Sequence, residues 1–118
     1  MAGTVINFEI DQNMNMGRAP AQYVDARVLS ATTAEEITIP AGATHVILDG
    51  SGAFNYLFLA SGSSSHATIP ADTDDGTACA QINPNTDSQS RTFLCKNYAK
   101  ISVISSGTPT VTAEFYKS

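Results

Sequence analysis

The chain has 118 residues, a net charge of −5 and only 14% charged residues, which predicts a single soluble domain with a surface rich in uncharged polar side chains. Six Lys and Arg residues cannot build the basic face that nucleic-acid binding requires. No apolar run approaches the roughly 18 residues of a membrane span, and the N-terminal sequence lacks the features of a secretory signal. We therefore expect no nucleic-acid partner, no membrane partner and synthesis in the cytosol.

The first twenty residues differ from the rest and predict an extended N-terminal arm. GTVINFEI alternates well enough for one strand, whereas DQNMNMGRAP follows no periodic pattern. Methionine adapts to irregular apolar surfaces, so we expect residues 1–20 to dock on another protein, and a linker folded back on its own domain is the alternative. The residues expected at this interface are the apolar ones, namely Val5, Ile6, Phe8, Ile10, Met14 and Met16.

From residue 21 onward, short apolar and β-branched runs alternate with turn residues, which predicts a series of strands. The run at 53–60 is the most apolar and is expected at the centre of a sheet. No window shows a helical period. The pattern predicts an all-β domain over residues 21–118, a β-sandwich or jelly-roll-like barrel of about eight short antiparallel strands. The predicted strands are 21–30, 33–40, 44–50, 53–60, 67–70, 78–82, 92–95, 99–105 and 110–117.

An acidic stretch, ADTDDGT at 71–77, resembles the start of an EF-hand calcium loop. Its spacing is one residue short, however, and Ile82 stands where the bidentate Glu belongs. A looser cation site built from Asp72, Asp74 and Asp75 is the weaker interpretation. We favour a turn, because Asp side chains bond to nearby backbone and Gly76 supplies a positive φ without steric cost.

The residues that could carry catalysis form no recognisable motif. There is no G-x-S-x-G elbow and no glycine-rich phosphate loop. The two histidines, His45 and His66, are expected at the surface, and the adjacent Glu35 and Glu36 should point to opposite faces of a strand. We therefore predict no enzymatic activity and no cofactor.

The two cysteines, Cys79 and Cys95, lie in neither a C-x-x-C pair nor a metal-binding spacing. We expect buried free thiols in neighbouring strands. A disulfide is the alternative if the protein reaches an oxidising medium.

Three aromatic residues, Phe54, Tyr56 and Phe58, share one face of a predicted strand. Such a row is most often part of the core, and this is the role we expect. An exposed row that stacks on sugar rings is the alternative.

Three segments together resemble a group of small structural proteins of tailed bacteriophages. They are VLSATTAEEITIPAGATHVIL, ATIPADTDDGTACAQINP and ISVISSGTPTVTAEFYKS, and the resemblance extends over residues 27–118. It implies a virion component, most specifically a capsid decoration or cement protein, with a neck or tail accessory protein as the alternative.

The same resemblance implies the partners and the location. The partners would be the major capsid protein or other virion proteins, and the chain would form a homo-oligomer, of which a trimer is one form. Assembly would take place in the host bacterial cytoplasm. A second alternative is a small adhesin module that binds host glycan through Tyr56, its aromatic neighbours and the loop 72–75.

Overall fold

Two four-stranded antiparallel sheets make up the part of the chain that the structure, a computed structural model, describes, which is residues 23–72, 74–84 and 91–117. Sheet A has the strand order β1-β8-β3-β6, and sheet B has the order β2-β7-β4-β5. The predicted all-β class and β-sandwich are therefore confirmed. The strands are β1 Tyr23–Val28, β2 Glu35–Thr38, β3 His45–Gly50, β4 Phe54–Leu59, β5 Ala80–Ile82, β6 Arg91–Leu94, β7 Lys100–Ile104 and β8 Thr110–Tyr116.

The core lies between the two sheets and follows from the alternation of side chains along each strand. In β8, Val111, Ala113 and Phe115 are buried, whereas the residues between them are only partly buried, as the sequence predicts. The other sheet contributes residues of the same kind from its inner face. The central cluster contains Leu29, Ile37, Val46, Leu48, Phe54, Ile82, Cys95, Ile101, Val103, Val111, Ala113 and Phe115.

Within residues 23–72, 74–84 and 91–117, the predicted strands agree with the structure except at one place. β4 pairs with both β5 and β7, so its central position in sheet B is confirmed. The strand predicted at 67–70 is wrong, because these residues belong to the long connection between β4 and β5. Two local reasons are that Pro70 has no N–H for a ladder and that the N–H of Ala67 bonds to a side chain.

The turn from β3 to β4 contains Gly50, which has no room for a side chain because the ring of Phe54 packs against it. A Cβ atom on Gly50 would lie 2.7 Å from Cε1 and 2.8 Å from Cδ1 of Phe54. Phe54 is fully buried, so its ring cannot move aside easily. The nearby Gly52 is less constrained, since a Cβ there would meet Pro109 Cβ at 3.4 Å.

Candidate interaction surfaces

The central part of the outer face of sheet B is buried, and the connection between β4 and β5 contacts it. The side chains of Leu59, Ser102 and Ile104 point away from the core, yet they are only 4%, 0% and 7% exposed. The connection contacts this face at Ala67, which is itself fully buried and donates its backbone N–H to Ser102 Oγ at 2.8 Å. Ala67, which precedes the acidic stretch 71–77, therefore anchors the connection on this face, whereas the described residues of the acidic stretch are exposed.

A cleft of about 410 Å³ lies between this connection and the end of sheet B. Asn55 is 5% exposed at this cleft, and its side-chain amide donates to the carbonyl oxygens of Cys79 at 3.2 Å and Ala80 at 3.4 Å. These bonds fix the end of the connection on β4. The lining carries no formal charge and consists of Ala53, Asn55, Ile69, Pro70, Ala78, Cys79, Gln81, Ser105 and Ser106.

The described residues 74–77 of the acidic stretch form a turn, as predicted. Asp75 Oδ1 accepts hydrogen bonds from the Thr77 hydroxyl at 2.6 Å and the Thr77 backbone N–H at 3.1 Å, and Gly76 has a φ of 88°. The hydroxyl bond first, and the backbone bond second, lower the pKa of Asp75 below its ordinary value. Among the described residues no group of three His, Cys, Asp or Glu side chains could hold a metal ion. The cation site of Asp72, Asp74 and Asp75 stays a prediction, and the described side chains do not form a cluster of ligands there.

The two cysteines are free thiols, as expected, but they do not lie in neighbouring strands. Cys79 precedes β5 in sheet B and Cys95 follows β6 in sheet A, because the chain crosses between the sheets from β5 to β6. Cys95 is fully buried, and burial raises the pKa of its thiol. Cys79 is only half-buried, and its sulfur accepts the backbone N–H of Thr68 at 3.4 Å.

The aromatic row of β4 belongs to the core, as expected. Phe54 is fully buried, and Tyr56 and Phe58 pack against the central cluster. The ring of Phe93 on β6 lies 5.1 Å from that of Tyr56 and 5.2 Å from that of Phe58, centroid to centroid. Tyr56 thus points to the inner face of sheet B, whereas the flanks of the acidic turn contact the outer face. The structure does not bring the two parts of the expected glycan site together.

The remaining catalytic candidates also lie apart. His66 is exposed, whereas His45 is half-buried, with Nδ1 2.9 Å from the Thr44 hydroxyl oxygen. Glu35 and Glu36 point to opposite faces of β2, as predicted. Glu35 is paired with the inward-facing Val103, whereas Glu36 is paired with Ser102, which faces outward. The absence of enzymatic activity stays a prediction.

One edge of the sandwich is held by an ion-pair cluster that the sequence interpretation missed. Arg27 on β1 donates from Nε and Nη2 to the two carboxylate oxygens of Asp25, at 2.8 and 2.7 Å. Its Nη1 reaches Glu35 Oε1 at 3.4 Å and the backbone oxygen of Glu36 at 3.0 Å on β2. The hydrogen bonds that Arg27 donates to the Asp25 carboxylate raise the pKa of Arg27. The cluster therefore ties sheet A to sheet B where both sheets end.

The outer face of sheet A exposes large apolar side chains, which the sequence interpretation also missed. Val24 and Val28 on β1 are 52% and 66% exposed, and Leu94 on β6 is 64% exposed. The alternating pattern of β1 gives the signal, since it places Val, Ala and Val on one face and charged residues on the other. Once the charged side chains face inward, the apolar ones must face solvent.

Among the described residues, no helix is long and apolar enough to cross a membrane. The predicted arm 1–20, with its apolar interface residues, lies outside the described residues. Comparison of the chain with protein-family models, with curated proteins and with solved structures finds no match.

Proposed function

We propose that this chain is a non-enzymatic structural protein of a bacteriophage virion, and most specifically a capsid decoration or cement protein. It docks on the particle and stabilises it, with the major capsid protein or other virion proteins as partners. The motifs that resemble phage structural proteins support this proposal. They are residues 28–48, which include β2 and most of β3, residues 67–84, which lead into and include β5, and residues 101–118, which include β8 and nearly all of β7.

The observation that carries the proposal is that apolar side chains are more exposed on the outer face of sheet A than on the outer face of sheet B. The central part of the outer face of sheet B is buried where Ala67 of the connection between β4 and β5 contacts it. The face of sheet A leaves Val24, Val28 and Leu94 more than half exposed. Val24 and Val28 lie on edge strand β1 and Leu94 lies on the opposite edge strand β6, so this face offers apolar contacts at both of its edges. Sheet A is therefore the docking side in this proposal.

The experiment measures how much of the chain binds to particles that lack it. Leu94→Lys places a charge on the sheet A face at β6, and we expect it to lower occupancy at a fixed concentration by about tenfold or more. Ile69→Lys is the matched control, because Ile69 is also an exposed apolar residue, at 39%, but lies on the connection over sheet B. Equal occupancy of the two variants, or no binding of the unmodified chain, would count against the proposal.

The copy number separates decoration from the alternative of a neck or tail accessory protein. A decoration protein covers the shell, so its copy number on purified particles should scale with that of the major capsid protein. An accessory protein at the neck or tail should be present in a few copies. Quantitative mass spectrometry of intact particles distinguishes the two.

The predicted arm gives a second test. If residues 1–20 dock on the particle, removing them should reduce occupancy while the sandwich keeps its far-ultraviolet circular dichroism spectrum. Unchanged occupancy would remove the arm from the proposal. The host-glycan alternative is tested separately by a glycan array with and without calcium.

A further inference from the structure

Strand β1 has one side of its backbone free among the described strands. It pairs with β8 only, at the edge of sheet A. The N–H of Leu29 donates to Pro109 O at 2.9 Å, in the same register as the β1–β8 pairing. In an antiparallel ladder the N–H and C=O groups of successive residues point alternately to the two sides of the strand. Because Leu29 points to β8, the even-numbered Val24, Ala26 and Val28 direct their N–H and C=O groups to the free edge. These three residues also carry the apolar outer face of β1.

The sequence of this strand is complementary to itself when it is read in the opposite direction. In Val24-Asp25-Ala26-Arg27-Val28, reversal about Ala26 places Val opposite Val, Asp opposite Arg, and Ala opposite itself. Side chains directly opposite each other in an antiparallel pair lie on the same face. The charged pairs would therefore meet on the inner face, and the valines would meet on the outer face.

We propose that a second copy of this chain pairs with β1 through its own β1, antiparallel and about a two-fold axis at Ala26. The two A sheets then join into one continuous sheet, as in other cases of strand addition. The pairing is isologous, because the same surface of each copy meets itself. The inference does not rest on the proposed function, since it concerns the chain in solution.

The direction of the backbone groups fits this pairing. Val24, Ala26 and Val28 would each exchange an N–H and a C=O with the second copy, which gives about six hydrogen bonds. Asp25 and Arg27 of the second copy would then form a non-hydrogen-bonded pair, where Cα atoms are about 4.5 Å apart and side chains are closest. Each Asp25 would gain a second guanidinium beside the one that it already binds at 2.7 Å.

Charge also fixes the register and selects the occupant. A shift by two residues would place Asp25 opposite Asp25, or Arg27 opposite Arg27, and like charges in opposition are destabilising. A shift by one residue would put apolar and charged side chains on the same face. The N-terminal stretch GTVINFEI has a single charged residue, Glu9, so it cannot match both Asp25 and Arg27. A second β1 matches both.

A cross-linking experiment tests the pairing without disturbing the ion pairs. Ala26→Cys, made in a Cys79→Ser chain, puts two thiols at the two-fold axis. Opposite residues in a hydrogen-bonded pair have Cα atoms about 5.5 Å apart, within the roughly 4.4–6.8 Å range of disulfides. We expect a covalent dimer under mild oxidation. The control is Ala60→Cys in the same chain, at an exposed position after β4, and cross-linking of the first variant no faster than the control would overturn the proposal.

A charge-exchange experiment tests the register by sedimentation. Asp25→Arg alone opposes Arg to Arg, and Arg27→Asp alone opposes Asp to Asp, so each should weaken self-association by about tenfold or more. An equimolar mixture of the two variants pairs Arg with Asp at both positions and should recover the dimer. Asp49→Arg, at an exposed site on β3, is the charge control and should dimerise normally.

The cross-linking and charge-exchange experiments together decide whether β1 pairs with a second β1. Circular dichroism checks that each charge variant is folded, and if one is not, the cross-linking result decides. A mixture that does not recover the dimer would overturn the proposal. A trimer of the unmodified chain would do the same, because a three-fold assembly needs a contact between two different surfaces.

Discussion

Replacing Ser102 by Ala should loosen the connection 60–79 from sheet B. The Ser102 hydroxyl accepts the N–H of Ala67 at 2.8 Å, and both residues are fully buried. Without that oxygen the Ala67 N–H is left in an apolar setting, and an orphaned buried donor costs about 1–3 kcal/mol. Against a total stability of roughly 5–15 kcal/mol, this is a measurable fraction of the free energy of unfolding.

Two measurements check this prediction. Urea unfolding should show the lower free energy of unfolding, and hydrogen exchange should show faster exchange of the Ala67 amide. A loss of 1–2 kcal/mol corresponds to an increase in local opening of about 5–30-fold. The control is Ser106→Ala, since Ser106 is exposed and such changes stay within about 0.5 kcal/mol. An unchanged Ala67 exchange rate in Ser102→Ala would refute the anchoring of the connection through this bond.

Two further predictions concern packing and pH. Gly50→Ala should lower the free energy of unfolding by about 1–3 kcal/mol, because the added methyl group overlaps the buried Phe54 ring. The control Gly52→Ala should change it by no more than about 0.5 kcal/mol. Equal urea midpoints for the two variants would contradict this prediction. Thr77→Val should raise the pKa of Asp75 toward its ordinary value, because the hydroxyl is the largest cause of the lowering. The lowered pKa means that this interaction stabilises the turn above the unfolded-state pKa and is lost as pH falls through the folded-state pKa. NMR titration of the Asp75 carboxyl carbon measures the change, and an identical titration curve in Thr77→Val would exclude the hydroxyl as the cause.

Strand positions could be predicted from the sequence where one face of a strand is buried and the other is polar. β8 is the clearest example, because Val111, Ala113 and Phe115 alternate with polar residues and all three are buried. The strand predicted at 67–70 was wrong because these residues do not alternate between a buried and a polar face. Of these residues Ala67 is buried against an outer sheet face, whereas Ile69 is 39% exposed, and composition alone does not distinguish such a connection from a strand.

The surface features could not be predicted, because they depend on which strands lie side by side. Cys79 and Cys95 are close in the chain but belong to different sheets, and no local pattern shows that crossover. Arg27 and Glu35 meet because β1 and β2 end their sheets at the same side of the sandwich. The self-complementary order of residues in β1 is visible in the sequence, but its meaning depends on β1 being an edge strand.

The acidic turn has a practical use as a site for displaying foreign peptides. Its two flanks are held independently of its tip, by the bond from Ala67 on one side and by the bonds from Asn55 to Cys79 and Ala80 on the other. Exposed tips with anchored flanks tolerate insertions best. A short epitope placed between Asp75 and Gly76 should therefore leave the sandwich folded and stand clear of sheet A, so an antibody could bind it while that face contacts a partner.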